Sequence, residues 1–221
     1  MAFPQSGFPA DWLLPSLLVL IMLLGAALYT APWRRLLDNN LLNVYLSACV
    51  MLLILWRIKA DLSGDLGIHF LCLTALTLMF GWQFALLGAT LIIAALTYMG
   101  LSGWQVYAFN VLIDGAVPVL FSYLFFHIVD RYMPRHFFIY ILFSAFLGGA
   151  LAITLRNLAL GSAALLTGIW DMDTIQSTLV PVSLLLLFPE ALLNGIAMTI
   201  FVVYRPHWVS TFDDARYLHN K

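Results

Sequence analysis

Long apolar runs separated by short polar breaks dominate the chain, and their lengths predict its elements. A helix that crosses a bilayer needs about 20 mostly apolar residues, fewer where flanking side chains snorkel or the bilayer thins. Seven stretches fit that description: Trp12 to Pro32, Leu41 to Trp56, Gly67 to Phe80, Phe84 to Leu101, Trp104 to Val129, Phe137 to Leu155, and Leu179 to Tyr204. The third is short, and only "GWQ" parts it from the fourth, so that turn must lie near the membrane surface. The segment Leu158 to Asp173 is apolar but broken by small residues, which fits an amphipathic or re-entrant outer hairpin. The first run has neither a basic leader nor a small-residue cleavage site, so it reads as a span and not as a cleaved signal.

Composition supports the same class. Of 221 residues, 63% are hydrophobic and 10% charged, whereas a soluble domain carries roughly a quarter charged residues. The expected fold is therefore an all-α polytopic membrane protein of about seven transmembrane helices. It would form a single transmembrane domain over residues 1–221, with an outer segment 1–11, a bundle 12–204 and a tail 205–221. The basic residues set the orientation, because cytoplasmic loops are enriched in Lys and Arg. With the N-terminus outside, Arg34, Arg35, Arg131, Arg135, Arg205, Arg216 and Lys221 fall inside and Arg57, Lys59 and Arg156 outside, a bias of seven to three. That predicts a cytoplasmic C-terminus. The net charge of −1 says nothing about nucleic acid, but no basic stripe is present and no nucleic-acid partner is expected; Cys49 and Cys72, both in apolar runs, imply no disulfide framework or zinc ribbon.

Polar groups at membrane depth cost a few kcal/mol unless paired or facing a wet cavity, so they point to function. In the fifth run Asn110 and Asp114 are four residues apart and share a helix face, and Pro118 follows with no N–H for the Asp114 carbonyl. The seventh run repeats the combination with Pro189, Glu190 and Asn194. Two kinked helices, each with an acid and an amide on one face, can build a central site in a bundle. His69 lies just inside the outer end of the third run. It is set three residues before Cys72, a helical offset that would place imidazole and thiol on one face. Imidazole with a soft or carboxylate neighbour suits nickel, cobalt, zinc or copper. The candidate metal-site residues are His69, Asp114 and Cys72, with Asn110, Glu190 and Asn194 as their supports.

The order of these features resembles the CbiM/NikM-type substrate-binding membrane components of energy-coupling factor transporters, which take up cobalt or nickel. The resemblance runs through Gly7-Phe8, the basic turn "PWRRLLD", the segment "SGDLGIHFLCLTALTLMFG", the helix "LSGWQVYAFNVLIDGAVP" and the final "PEALLNG". It implies that His69 helps bind the metal, that Asn110 is the polar residue near it, and that Glu190 is structural or gating. It also implies a divalent transition metal as cargo, no permanently bound cofactor, and a bacterial cytoplasmic-membrane location. A membrane coupling subunit and cytoplasmic ATPases would be the partners, since this chain has no phosphate-binding G-x-x-x-x-G-K-[ST] loop. One departure stands out: family chains begin Met-His, and the terminal amine, a backbone nitrogen and that imidazole join the loop histidine around a square-planar metal. Here the chain begins "MAFPQSGF", so Ala2 supplies no imidazole. Either Asp114 or Cys72 replaces the lost ligand, or the cargo differs. A carboxylate hardens the site toward zinc, manganese or iron, and a thiolate softens it toward copper or zinc.

Two other classes compete. "GLSG", Gly100 to Gly103, resembles the serine motif of rhomboid-type intramembrane proteases, but Ser102 needs a base within hydrogen-bonding reach. The only histidine on its side of the membrane, His69, precedes it in the chain, the reverse of the rhomboid order. The other class is a non-catalytic membrane subunit for assembly or metal delivery.

Overall fold

The computed structural model describes residues 8–57, 60–62, 66–213 and 217. Among the described residues the main helices and one small hairpin follow in chain order: α1 (Ala10–Thr30), α2 (Asn39–Arg57), β1 (Ala60–Leu62), β2 (Leu66–Ile68), α3 (Leu73–Phe80), α4 (Trp82–Tyr98), α5 (Tyr107–Tyr132), α6 (Phe137–Leu166) and α7 (Met172–Tyr204), with short 3-10 helices at Trp33–Leu37 and Pro206–Trp208. The two strands pair antiparallel, Asp61 opposite Gly67. Among the described residues five helices, α1, α2, α5, α6 and α7, are long and apolar enough to cross a membrane, while α4 is a shorter apolar helix. The chain is a multi-pass helical membrane protein.

Local chemistry explains where helices start and bend. The Asp38 side chain accepts the Asn40 N–H at the head of α2, His136 Nδ1 accepts from Phe138 N–H at the head of α6, and Asp171 accepts from Thr174 N–H at the head of α7. Each side chain satisfies an amide that a helix start leaves without a partner. In α5 the turn Val111–Ala116 widens to π-helical geometry immediately before Pro118. Because proline has no N–H for the carbonyl four residues back, the wider turn is where the backbone absorbs that loss. α7 repeats this, with a π-helical turn Ile175–Leu179 ahead of Pro181, and it carries Pro189 farther along.

Three expectations from the sequence need correcting. The run Gly67 to Phe80 is not one span: the backbone is a strand to Ile68, extends through His69 and Phe70, and becomes helical only at Leu73. Eight helical residues rise about 12 Å, far short of a bilayer core. The segment Leu158 to Asp173 is no separate hairpin, since α6 continues through Leu166 and α7 begins at Met172. Arg156, assigned to an outer loop, lies inside α6 and is 7% exposed.

α3 holds the centre. All eight of its residues are buried, and it packs against α4, α5, α6 and α7. α1 and α2 lie outside, against α4, and turn large apolar side chains such as Leu14, Leu18, Met22, Met51 and Ile54 outward, as helices facing lipid do. Lipid is as apolar as leucine, so close packing and internal hydrogen bonds hold such helices together. Gly149 of α6 allows one of these approaches: a Cβ there would lie 2.9 Å from Asn194 Nδ2 of α7. Beyond α7, Ser210 N–H donates to the Met79 carbonyl and Tyr217 stacks on Phe212, so the described part of the tail lies against the end of the bundle.

Candidate functional site

The polar centre is built around the short segment that leads into α3. A helix start leaves its first amides without partners, and inside a membrane protein no water satisfies them. Here α7 supplies the acceptors. Glu190 takes the Leu71 N–H on Oε2 at 2.8 Å and the Cys72 N–H on Oε1 at 2.6 Å. One turn on, Asn194 accepts the Ala75 N–H on Oδ1 at 2.8 Å and donates from Nδ2 to Glu190 Oε1 at 2.9 Å. Glu190 is 1% exposed and Asn194 0%, so acid and amide together cap α3 from a different helix. The cap also holds Cys72 in the left-handed region at φ 50°, a conformation that costs a non-glycine residue of order 1–3 kcal/mol.

His69 rides on this capped segment. It is buried and lies against Trp56 of α2, ring centroids 5.0 Å apart, while Trp56 Nε1 donates to the Leu71 carbonyl at 3.0 Å. The segment is therefore gripped from two sides, by Glu190 and by Trp56. His69 and Cys72 do not share a helix face, because both precede the helix. The Cys72 thiol is half-buried and within electrostatic reach of the Glu190 carboxylate, so a thiolate there would face a like charge.

A second polar group lies across from His69 on α5 and α6. Arg156 donates through Nε to Asp114 Oδ1 at 2.8 Å and through Nη1 to Asn157 Oδ1 at 2.8 Å, and a further Nη2 contact reaches the same Asp114 oxygen. Asp114 is 1% exposed and sits in the π-helical turn. His69 is within electrostatic reach of both Asp114 and Arg156. Asn110, fully buried one turn before, donates to Ser102 Oγ at 2.9 Å. Ser102 thus meets an amide donor where a serine nucleophile would need a base. Phe8 packs on Phe109 with ring centroids 4.9 Å apart, so the chain enters α1 beside this part of α5.

The structure gathers the proposed residues into two adjoining groups: Glu190, Asn194, Cys72 and His69 around the start of α3, and Asp114 and Asn110 of α5 with Arg156 and Asn157 of α6 and Ser102 before α5. Among the described residues no three His, Cys, Asp or Glu side chains converge as a metal-holding group. Ala2, Pro4, Gly7 and part of the "GDLG" loop lie outside the described residues. Sequence reasoning missed Arg156 and Asn157. The signal was available in "LAITLRNLALG", where one basic residue interrupts an apolar run that continues on both sides.

Helices able to cross a membrane around a buried polar centre define a multi-pass helical membrane protein. The comparison of sequences narrows this: the chain belongs to the CbiM family, the cobalt uptake substrate-specific transmembrane region, whose model matches residues 3–208. It is accordingly a transmembrane component of cobalt uptake and not an enzyme. No curated protein and no solved structure matches the chain.

Proposed function

We propose that the chain is the cargo-binding membrane subunit of an energy-coupling-factor-like uptake transporter for a divalent transition metal, cobalt or nickel. It crosses the membrane seven times, α3 and α4 with their flanking segments making the two shorter passages, with the N-terminus outside and the C-terminus in the cytoplasm. A membrane coupling subunit and cytoplasmic ATPases supply the energy. The observation that carries this reading is His69: a buried imidazole, clamped between Trp56 and the Glu190-capped start of α3 and within electrostatic reach of Asp114.

In this mechanism His69 is the ligand from the loop, and nitrogen atoms of the N-terminal segment complete part of the set. Ala2 leaves one position to be filled differently from the Met-His pattern. Asp114 is the better candidate for that position than Cys72, whose thiolate would oppose Glu190. Because Arg156 already neutralises Asp114, an arriving cation competes with a guanidinium for the same carboxylate. Asn110 steadies that part of α5 through Ser102, and Glu190 and Asn194 hold His69 in place through the backbone, a role like that of supporting groups around metal ligands.

The test is elemental analysis of detergent-purified protein after exposure to a panel of divalent metals, wild type beside His69→Ala. One metal retained stoichiometrically by the wild type and lost in the variant supports the reading. Equal, substoichiometric metal in both refutes it and favours a role in assembly.

A further inference from the structure

A cavity lined by none of the residues of the polar centre opens at the end of the bundle where α1, α3 and α5 finish. It has a volume of about 740 Å³, and its lining carries three guanidinium groups against one carboxylate, Arg35 from the turn after α1, Arg131 from the last turn of α5 and Arg135 just beyond, with Gln83 and His127 as further polar neighbours. The apolar wall opposite is made by Pro32, Phe80, Tyr123 and Phe126.

The one carboxylate in the lining is already engaged. Asp130 Oδ1 accepts from Tyr217 Oη at 2.7 Å and lies 3.5 Å from Arg135 Nε. The hydroxyls are also engaged: Ser210 and Thr211 both donate to the Leu78 carbonyl. The helices α1, α3 and α5 end at this cavity, and the partial negative charge of their C-termini opposes an anion, so binding depends on the full charges of the guanidiniums outweighing it. Arg35 is half-buried and has no carboxylate partner among the described residues. Burial pulls its guanidinium below the ordinary value, so an anion beside it would recover charge stabilisation that the chain alone does not provide.

We propose that this cavity binds a phosphate group, held by Arg35 and Arg131 and screened from Asp130 by Arg135. Guanidinium groups match phosphate oxygens with paired N–H donors. The site accepts either the headgroup of an anionic lipid, its glycerol and upper acyl carbons against Tyr123 and Phe126, or a free phosphate. Basic pockets between helices at the cytoplasmic surface recognise lipid headgroups in this way. The inference rests on the three arginines and the cavity, and it stands whether or not His69 binds metal.

The experiment is native mass spectrometry of the full chain, released from detergent after incubation with phosphatidylglycerol or, in parallel, phosphatidylcholine. Wild type is expected to retain one phosphatidylglycerol and to release phosphatidylcholine. Arg35→Gln with Arg131→Gln should lower phosphatidylglycerol retention about 25-fold, each guanidinium contributing on the order of fivefold. Arg131 is exposed, so Arg131→Gln alone keeps the fold and should lower retention about fivefold. Arg34→Gln, outside the cavity lining, should change nothing. Millimolar inorganic phosphate that displaces the lipid identifies a free-phosphate site, and lipid that resists displacement identifies a headgroup site. Equal retention of both lipids, or unchanged retention in Arg131→Gln, overturns the proposal.

Discussion

Replacing Glu190 by alanine tests whether α7 really holds the segment that carries His69. In the native structure its two carboxylate oxygens accept the amides of Leu71 and Cys72. Truncation leaves both donors buried with no acceptor, whereas Asn194 Nδ2 keeps its bond to the residue-190 carbonyl at 2.8 Å. An orphaned buried donor costs about 1–3 kcal/mol, so the two together cost about 2–6 kcal/mol. For a chain of this length that lowers Tm by at least ~4 °C. Glu190→Gln should fall between, since its carbonyl can still accept one amide while its NH2 meets the other head-on. Thermal unfolding in detergent gives the first readout. The second is local: Trp56 hydrogen-bonds to the Leu71 carbonyl and packs on His69, so a loosened segment exposes its indole and red-shifts emission, a change that Trp56→Phe should abolish. An alanine variant with wild-type Tm and unshifted emission would refute the capping role.

The remaining predictions concern the neighbouring contacts. Asp114→Asn or Arg156→Met alone should destabilise the protein by about 3–5 kcal/mol, because each strands a buried charge, while the double variant should recover much of the loss; equilibrium unfolding of the four proteins measures this as a double-mutant cycle. Gly149→Val drives a side chain into Asn194 and should cost about 1–3 kcal/mol, seen as a lower Tm with weakened capping of α3. Ser102→Ala removes one hydrogen bond from Asn110 and should cost about 1 kcal/mol. Transport should survive that change in a cobalt accumulation assay, and complete loss of transport would return Ser102 to the machinery.

The sequence carried the class and most of the helix pattern, because long apolar runs have only one use in a chain this poor in charge. It did not carry the path of residues 67–72. An apolar run without a polar face has nothing to mark where helix gives way to extended backbone, and Leu71 and Cys72 look like helix interior until Glu190, 119 and 118 residues away, is seen to accept their amides. The four-residue spacing of Glu190 and Asn194 was visible, but the target of the pair was not. Arg156 was misplaced for a related reason. A charge was treated as a loop marker, and its carboxylate partner lies 42 residues earlier on another helix. Side-chain pairing across helices leaves no trace in local composition, so the positive-inside bias counted Arg156 with the loops while the structure buries it against Asp114.

The most direct test of the central claim is the visible absorption of the cobalt-loaded protein, wild type against His69→Ala, with Glu190 intact in both. Imidazole nitrogen on cobalt gives ligand-field bands distinct from those of oxygen and water ligands. The account predicts a stoichiometric nitrogen-type band in the wild type that is lost or shifted in the variant. Identical spectra in the two proteins would contradict it and remove His69 from the cargo site.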